Sequence, residues 1–571
     1  HHLFADLLRL ELRRTAPATI PSLHRAAAAW HEQHGDVLAA VRHAGAADDW
    51  PHAGRLLIDN YLALTMAGRS ETVHALLSTF PADAGRRDAE VALALAVDSI
   101  VRGLLERAAG ELAIARKLAT AIPTDRRLRH DVYSATAGLE LARRRGDLAT
   151  AEATMDSLEA ALEAVANSEE LPVAPDYRTL ALMNLGIAQL WAGDPARAGE
   201  HLDAAVASAR RIPLPFFEVG CLAHLAIVAP LTGQPLARAL ELSERALAIA
   251  DEHGWTNEPM TTGALAAHGM ALAWLGRFPE AERRLEHAAV ALSSAADPGT
   301  EVVLHQARGL LRVAEGQLDQ AAAEFSEAQS AAGLLASGHL FAIEGRCRAL
   351  QLQIRRGRTE SAQLSLDNLD PQTRDRAGMR IVLAALKLAS DEPEHVAAAL
   401  APVLDGSAAS VYGLSARVEA LLLAAIAHDS LGDSSATERS IEAALDLAEP
   451  EGLMLPFALW PARELLERHP RHRTAHGALI ATILDMLAGH AAVRAPGEPL
   501  RDELSEAELR ILRYLPSNLN AVEIGSELYV SANTVRTHIR HIYNKLGAHS
   551  RSEAVARARE HGLIAPGALR P

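Results

Sequence analysis

One turn signature recurs along most of this chain: a glycine, a small residue five positions on and a large apolar residue nine positions on. Gly146 leads to Ala151 and Met155, Gly193 to Ala198 and Leu202, Gly276 to Ala281 and Leu285, Gly316 to Ala321 and Phe325, and Gly357 to Ala362 and Leu366. Looser copies start at Gly68, Gly103, Gly233 and Gly432, and one copy is expected to turn at Asp391 without its glycine. The clear copies are spaced by 47, 83, 40 and 41 residues, with Gly233 inside the double interval, so the unit is near 40 residues. A period of that size is the period of a stacked helix pair.

A second glycine stands seven residues before three of these turns, at Gly186, Gly269 and Gly309. A position without a side chain lets the two helices of a pair approach closely, and the downstream Ala and Leu then pack the second helix onto the first. "MNLGIAQLWAGDPARAGEHLDAAV" is the best copy. The units resemble the tetratricopeptide repeat, somewhat lengthened. Stacked pairs predict a right-handed solenoid with a concave groove available to a small-molecule inducer or a protein partner.

Composition agrees with an all-α chain. Aromatic residues make up 4% of it and hydrophobic residues 49%, with Ala, Leu, Glu and Arg abundant. Cys221 and Cys347 offer neither a disulfide framework nor metal-ligand spacing, which predicts a reducing cytoplasm. No apolar run reaches the roughly 18 residues of a membrane span, and no membrane partner is expected. The first residue is His1 and not Met, so the chain is expected to be part of a longer protein.

The repeat fades through "EPEGLMLPFALWPARELLERHPRHRTAH", where His469, His472 and His476 lack cysteines or carboxylates at ligand spacing and are expected to form a solvated basic turn. Residues 488–503, rich in Gly, Pro and charge, are expected to be a linker. Beyond them the charge changes sign. The chain carries a net charge of -16, yet residues 530–551 hold Arg536, Arg540, Lys545 and Arg551 and no acidic residue.

This segment predicts a helix over about 532–546 with two faces. Val535, Ile539, Ile542 and Leu546 form an apolar stripe, while Asn533, Arg536, Thr537 and Arg540 lie opposite. Arginine can read guanine, asparagine adenine and the threonine methyl thymine, so those four are the candidate base-reading residues. Ser531, Thr534, His541, Lys545 and Arg551 flank them as candidate phosphate contacts. The preceding segment is expected to add Ile524, Leu528 and Val530 to the same core, with Gly525 allowing the two helices to approach. Ser505 with Glu508, Asn520 with Glu523 and Ser550 with Glu553 have capping-box spacing, Ser531 can cap its helix, and Pro516 and Gly547 mark helix ends. Two helices joined tightly, the second one basic, predict a helix-turn-helix.

The stretch "LSEAELRILRYLPSNLNAVEIGSELYVSANTVRTHIRHIYNKLGAHSRSEAVARAREHGLI" resembles the LuxR-type DNA-binding domain over about 60 residues without a gap. It departs from that pattern at Ala507, Asn518, Ala521 and Gly525, none of them on the candidate base-reading face. The resemblance implies base contacts from Arg536, Thr537 and Arg540. It also implies a last helix, containing Ser550, Glu553 and Ala554, that pairs two subunits on double-stranded DNA, giving a homodimer or oligomer there.

The opening stretch, "HHLFADLLRLELRR" followed by "LHRAAAAWHEQHGDVLAAVRHAGAADDW", is similar to the junction before the repeats in MalT-like large LuxR regulators. That resemblance implies residues 1–25 as the end of a winged-helix region, 26–487 as repeats and 504–571 as the DNA-binding domain. It further implies a preceding ATPase of the STAND class that would hold ATP, and RNA polymerase as a further partner. This chain itself contains no G-x-x-x-x-G-K-[ST], G-x-S-x-G, S-x-x-K or H-E-x-x-H, so no cofactor, metal or catalytic residue is expected in it. The expected function is a DNA-reading transcriptional regulator, an activator, with the repeats as its sensor. The alternative is a tetratricopeptide-like interaction scaffold whose helix-turn-helix reads nothing.

Overall fold

The computed structural model describes residues 2–166, 174–292, 297–336, 339–470, 474–488, 504–512, 514–515, 519–528, 530–546, 548 and 550–560. Among them every regular element is a helix. The chain divides into two compact units, His1–Leu423 and Ala424–Pro571.

Each repeat of the first unit is a helix, a tight left-handed turn and a second helix. Gly68, Gly103, Gly146, Gly193, Gly233, Gly276, Gly316 and Gly357 all have positive φ, as does Gly432 in the second unit. Asp391, expected to stand in for a glycine, has φ 59°. At Gly276 the turn is a Schellman motif: Arg277 N–H donates to the Leu272 carbonyl (2.9 Å) and Gly276 N–H to that of Ala273 (3.0 Å). In some copies the residue after the glycine starts the next helix, as where Asp194 accepts from Arg197 N–H at 3.1 Å and Asp433 from Ala436 N–H at 2.9 Å.

The two partner positions of the signature pack as their spacing predicts. Ala151, Ala198, Ala281, Ala321 and Ala362 are fully buried, and so are Leu202, Leu285 and Phe325. A Cβ at Gly186 would stand 2.8 Å from Leu202, one at Gly269 2.7 Å from Leu285 and one at Gly309 2.4 Å from Phe325. In each case the residue nine positions after the turn fills the space a side chain would have taken. Full burial of such a side chain stabilises by roughly 1.5–3 kcal/mol.

Within this unit, residues several repeats apart meet. Arg143 pairs with Asp297 at 3.0 Å, Trp191 Nε1 donates to the same carboxylate at 3.0 Å, and Leu340 N–H donates to the Trp191 carbonyl at 2.7 Å. His224, Trp191, His339, Phe341, Tyr412 and Trp274 follow one another in ring contact at 4.8–5.7 Å. Cys221 and Cys347 are both buried and unbridged, and no described helix is long and apolar enough to cross a membrane.

In the second unit His469 and His476 are buried, which corrects the expectation of a solvated basic turn. His469 Nε2 lies 2.5 Å from Glu442, while His476 reaches Asp446 (2.9 Å) and Glu449 (2.7 Å) through its two nitrogens. All three carboxylates come from the helix Ser434–Ala448 or the turn after it. His472 lies outside the described residues, as does the expected linker beyond Ala488.

Candidate nucleic-acid interface

Four helices form the C-terminal domain: Glu506–Leu512, Ala521–Leu528, Ala532–Leu546 and Arg551–Glu560. Their starts follow from local hydrogen bonding. Ser505 N–H donates to Glu508 Oε2 (2.7 Å) and Glu508 N–H to Ser505 Oγ (3.3 Å), a complete capping box. Thr534 N–H donates to Ser531 Oγ at 3.1 Å, and Glu553 N–H to Ser550 Oγ at 3.2 Å. Pro516, Gly547 and the side chain of Glu523 lie outside the described residues.

The helix Ala532–Leu546 is held by the expected stripe. Val535, Ile542 and Leu546 are buried with Ile511, Leu512, Leu515, Ile524, Ala554, Val555 and Ala558, while Ile539 and Leu528 pack partly buried against them. Gly525 is buried, in keeping with a close approach of the two helices. Val530 departs from expectation: at 41% exposure it faces solvent.

Opposite the stripe, Arg536, Thr537 and Arg540 are exposed along the helix, with Ser531, Thr534 and His541 exposed around them. The backbone of Asn533 is helical, and its side chain lies outside the described residues. Two guanidinium groups, hydroxyls and an imidazole therefore share one accessible surface. The last 71 residues carry ten Lys or Arg against eight Asp or Glu, a net +2 in a chain of net -16.

Two of the flanking cations have partners inside the domain. Lys545 Nζ donates to Glu508 Oε2 at 2.8 Å. Burial of Glu508 pushes its carboxyl pKa up, but Lys545 and the cap donors of Ser505 outweigh that and hold it down at about 2. Arg551 donates from Nε to the Leu515 carbonyl (2.9 Å) and from a terminal nitrogen to that of Tyr514 (3.1 Å), tying the last helix to the first.

In the last helix Ala554 is fully buried in the domain's own core, whereas Ser550 caps and Glu553 pairs with Arg557. Ala554 therefore presents no surface to a second subunit in this conformation. Arg557 also donates to the Leu546 carbonyl at 2.6 Å, closing the C-terminus of the basic helix. Neither this bond nor the Glu508–Lys545 pair has a local sequence signal, since the partners lie 11 and 37 residues apart.

Glu508, His538 and His541 bring one carboxylate and two imidazoles within 4.8 Å of one another, the nearest approach to a metal-ligand set among the described residues. Its carboxylate is already met by the Lys545 ammonium.

A profile for the MalT-like TPR region matches residues 156–461, and one for bacterial regulatory proteins of the luxR family matches residues 502–558. The first covers more than half of the chain, and the chain belongs to that family, carrying a luxR-family domain at its C-terminus. It is similar to the HTH-type transcriptional regulator MalT of Serratia proteamaculans (strain 568), 35% identical over 95 residues, which is 17% of this chain and 10% of that protein. To the MalT of Yersinia pestis (strain Pestoides F) it is 37% identical over 93 residues, 16% of this chain and 10% of that one. The chain thus spans about a tenth of the length of the curated relatives it matches. Among solved structures it is similar to the apo form of the quorum sensor NprR from B. thuringiensis, at 13% identity and a TM-score of 0.42, over 62% of this chain and 97% of that one.

Proposed function

We propose that this chain is the sensing and DNA-reading part of a LuxR-type transcriptional activator. The observation that carries the reading is the division of the helix Ala532–Leu546, which anchors itself by Val535, Ile542 and Leu546 and leaves Arg536, Thr537 and Arg540 exposed on the other side. Such a helix can enter the major groove, where the two arginines read guanines and Thr537 a thymine methyl. Asn533 lies one turn before Thr537 on the same face and joins them.

Ser531, Thr534 and His541 then contact phosphates, which set register and affinity. Lys545 and Arg551, engaged with Glu508 and with the carbonyls of Tyr514 and Leu515, add positive charge to the same domain. Two subunits meet through the last helix by its exposed side, near Ser550 and Glu553, on a two-fold operator. The repeats receive an inducer or a partner protein, and the bound protein contacts RNA polymerase. The acidic repeats are repelled by DNA, so the small domain is the one contact, and affinity falls steeply with salt.

Selection of random duplex DNA by the full chain tests this, beside an Arg536→Ala, Arg540→Ala double variant. Each lost bidentate guanine contact costs roughly 1–3 kcal/mol. The expected result is a two-fold site enriched by the parent and not by the variant. Absence of enrichment by the parent would leave the repeats as a protein-interaction scaffold.

A further inference from the structure

In the first unit a cleft of about 890 Å3 opens among the helices Leu105–Leu118, Thr124–Arg144 and Leu148–Ala166. One wall is a run of small residues on the third helix, Ala153 and Ala160 among them with Thr150, Thr154 and Ser157, and Arg116, Asp131 and Ser134 face it from the other two. Two of these groups lack partners. Several arginines of this acidic chain are met by carboxylates, Arg126 by Asp59 and Glu90 and Arg348 by Glu419 and Glu344. Arg116 is exposed at the mouth of the cleft and is met by no carboxylate among the described residues, and partial burial of its guanidinium pushes its pKa down.

Its position is built into the helix opposite. The guanidinium lies against Gly138, where a Cβ would stand 2.4 Å from an Arg116 nitrogen and 3.6 Å from the Thr154 methyl. A Cβ there would push the end of the Arg116 side chain aside. Ser134 lies one turn before Gly138, is 5% exposed and lines the cleft, and its hydroxyl bonds to no described residue. Asp131, one turn earlier, also lines the cleft, and its one recorded ion-pair neighbour is His130 at 3.8 Å.

A cation and a hydroxyl donor without partners, in one cleft, suit an oxyanion. The carboxylate of Asp131 nearby can accept a hydroxyl or ammonium group of the ligand. We propose that this cleft binds a small organic anion with a single carboxylate or phosphate head held by Arg116 and Ser134. The ligand's body rests on the alanine wall, and its hydroxyl or ammonium group faces Asp131.

The inference rests on the repeats being the ligand-receiving part of the protein, and it is tested without DNA. Thermal unfolding of the full chain is followed against lactate and against glycerol phosphate, with ionic strength matched by chloride. A ligand that binds only the folded state raises Tm in a saturable way. The expected result is such a rise with at least one of the two, lost in Arg116→Gln, weakened in Gly138→Ala, and an affinity roughly tenfold weaker in Ser134→Ala.

Gly138→Ala keeps the arginine but shifts its guanidinium, and alanine favours the helix, so its weakened response would not come from unfolding. A rise with one ligand alone assigns the head group. A response that survives in Arg116→Gln, or no response to either ligand in the parent, overturns the proposal. Either failure leaves the DNA selection standing, and a failed selection leaves the cleft's response standing.

Discussion

The repeats and the C-terminal domain solve the same problem, packing helices in pairs, with opposite devices. In the repeats one device is copied: a left-handed turn, a buried alanine and a large side chain seated over a glycine or a small residue. In the small domain each fastening is used once, the capping box of Ser505 and Glu508, the Glu508–Lys545 pair and the arginine ties to Leu515 and Leu546. A copied device spreads stability over neighbours, so a loss is local. A domain whose core is a handful of side chains has no spare contacts. The same contrast divides the charge, with the cations of the small domain set in an otherwise acidic chain.

The largest effect is expected at Phe325, fully buried over Gly309. Phe325→Ala should cost about 3–5 kcal/mol, and hydrogen exchange should rise in the repeats beside it. Faster exchange throughout the domain 504–560 as well would break the idea of local loss. Next comes Glu508→Gln, which leaves the Lys545 ammonium without its carboxylate and should cost about 2–4 kcal/mol. Here the expected outcome is loss of the whole small domain with the repeats intact, read by exchange at Val535 and Ile542 against Leu202 and Leu285.

Glu508 also carries a sign. Its folded pKa, about 2, lies below its unfolded value, so its contribution is present above the unfolded pKa and disappears as pH falls toward 2. The acid limb of the small domain's unfolding should flatten in the glutamine variant.

The copied device was legible in the sequence because it penalises any other choice. A position with positive φ disfavours a Cβ, so the turn glycines stand out, and Asp391 could be placed by period alone. The faces of the helix Ala532–Leu546 were legible for a similar reason, since Val535, Ile542 and Leu546 repeat at helical spacing. Val530 misled because it is apolar and adjacent to the helix, yet it is exposed. His469 and His476 misled because their carboxylates, Glu442, Asp446 and Glu449, lie 27–30 residues upstream on a different element. The clefts and ties that depend on distant partners, Arg116 over Gly138 and Arg557 on Leu546, leave no local trace at all.

Two smaller effects sharpen the contrast. Gly276→Ala forces a Cβ into the left-handed turn and should cost about 1–2 kcal/mol, while Asp391→Gly relieves the same strain and should stabilise by at most about 1 kcal/mol. Opposite signs at matching turns, read as shifts in denaturant midpoint, are what a copied device requires, and equal signs would mean the turns are not equivalent.

The smallest effect belongs to His476, where burial lowers the pKa but the bonds to Glu449 and Asp446 outweigh it and raise it. A raised folded pKa means that its contribution is complete below the unfolded value, near 6.5, and fades as pH rises through the folded one. Stability of the second unit should therefore weaken as pH rises above that range, and His476→Gln should remove the trend without changing the acid limb set by Glu508. Because the clamp joins the helix Gly477–Leu487 to carboxylates of the preceding helix and turn, its opening should appear first as faster exchange at Ile480 and Ile483. Exchange there that ignores pH would show that apolar packing, and not the charged clamp, holds this helix in place.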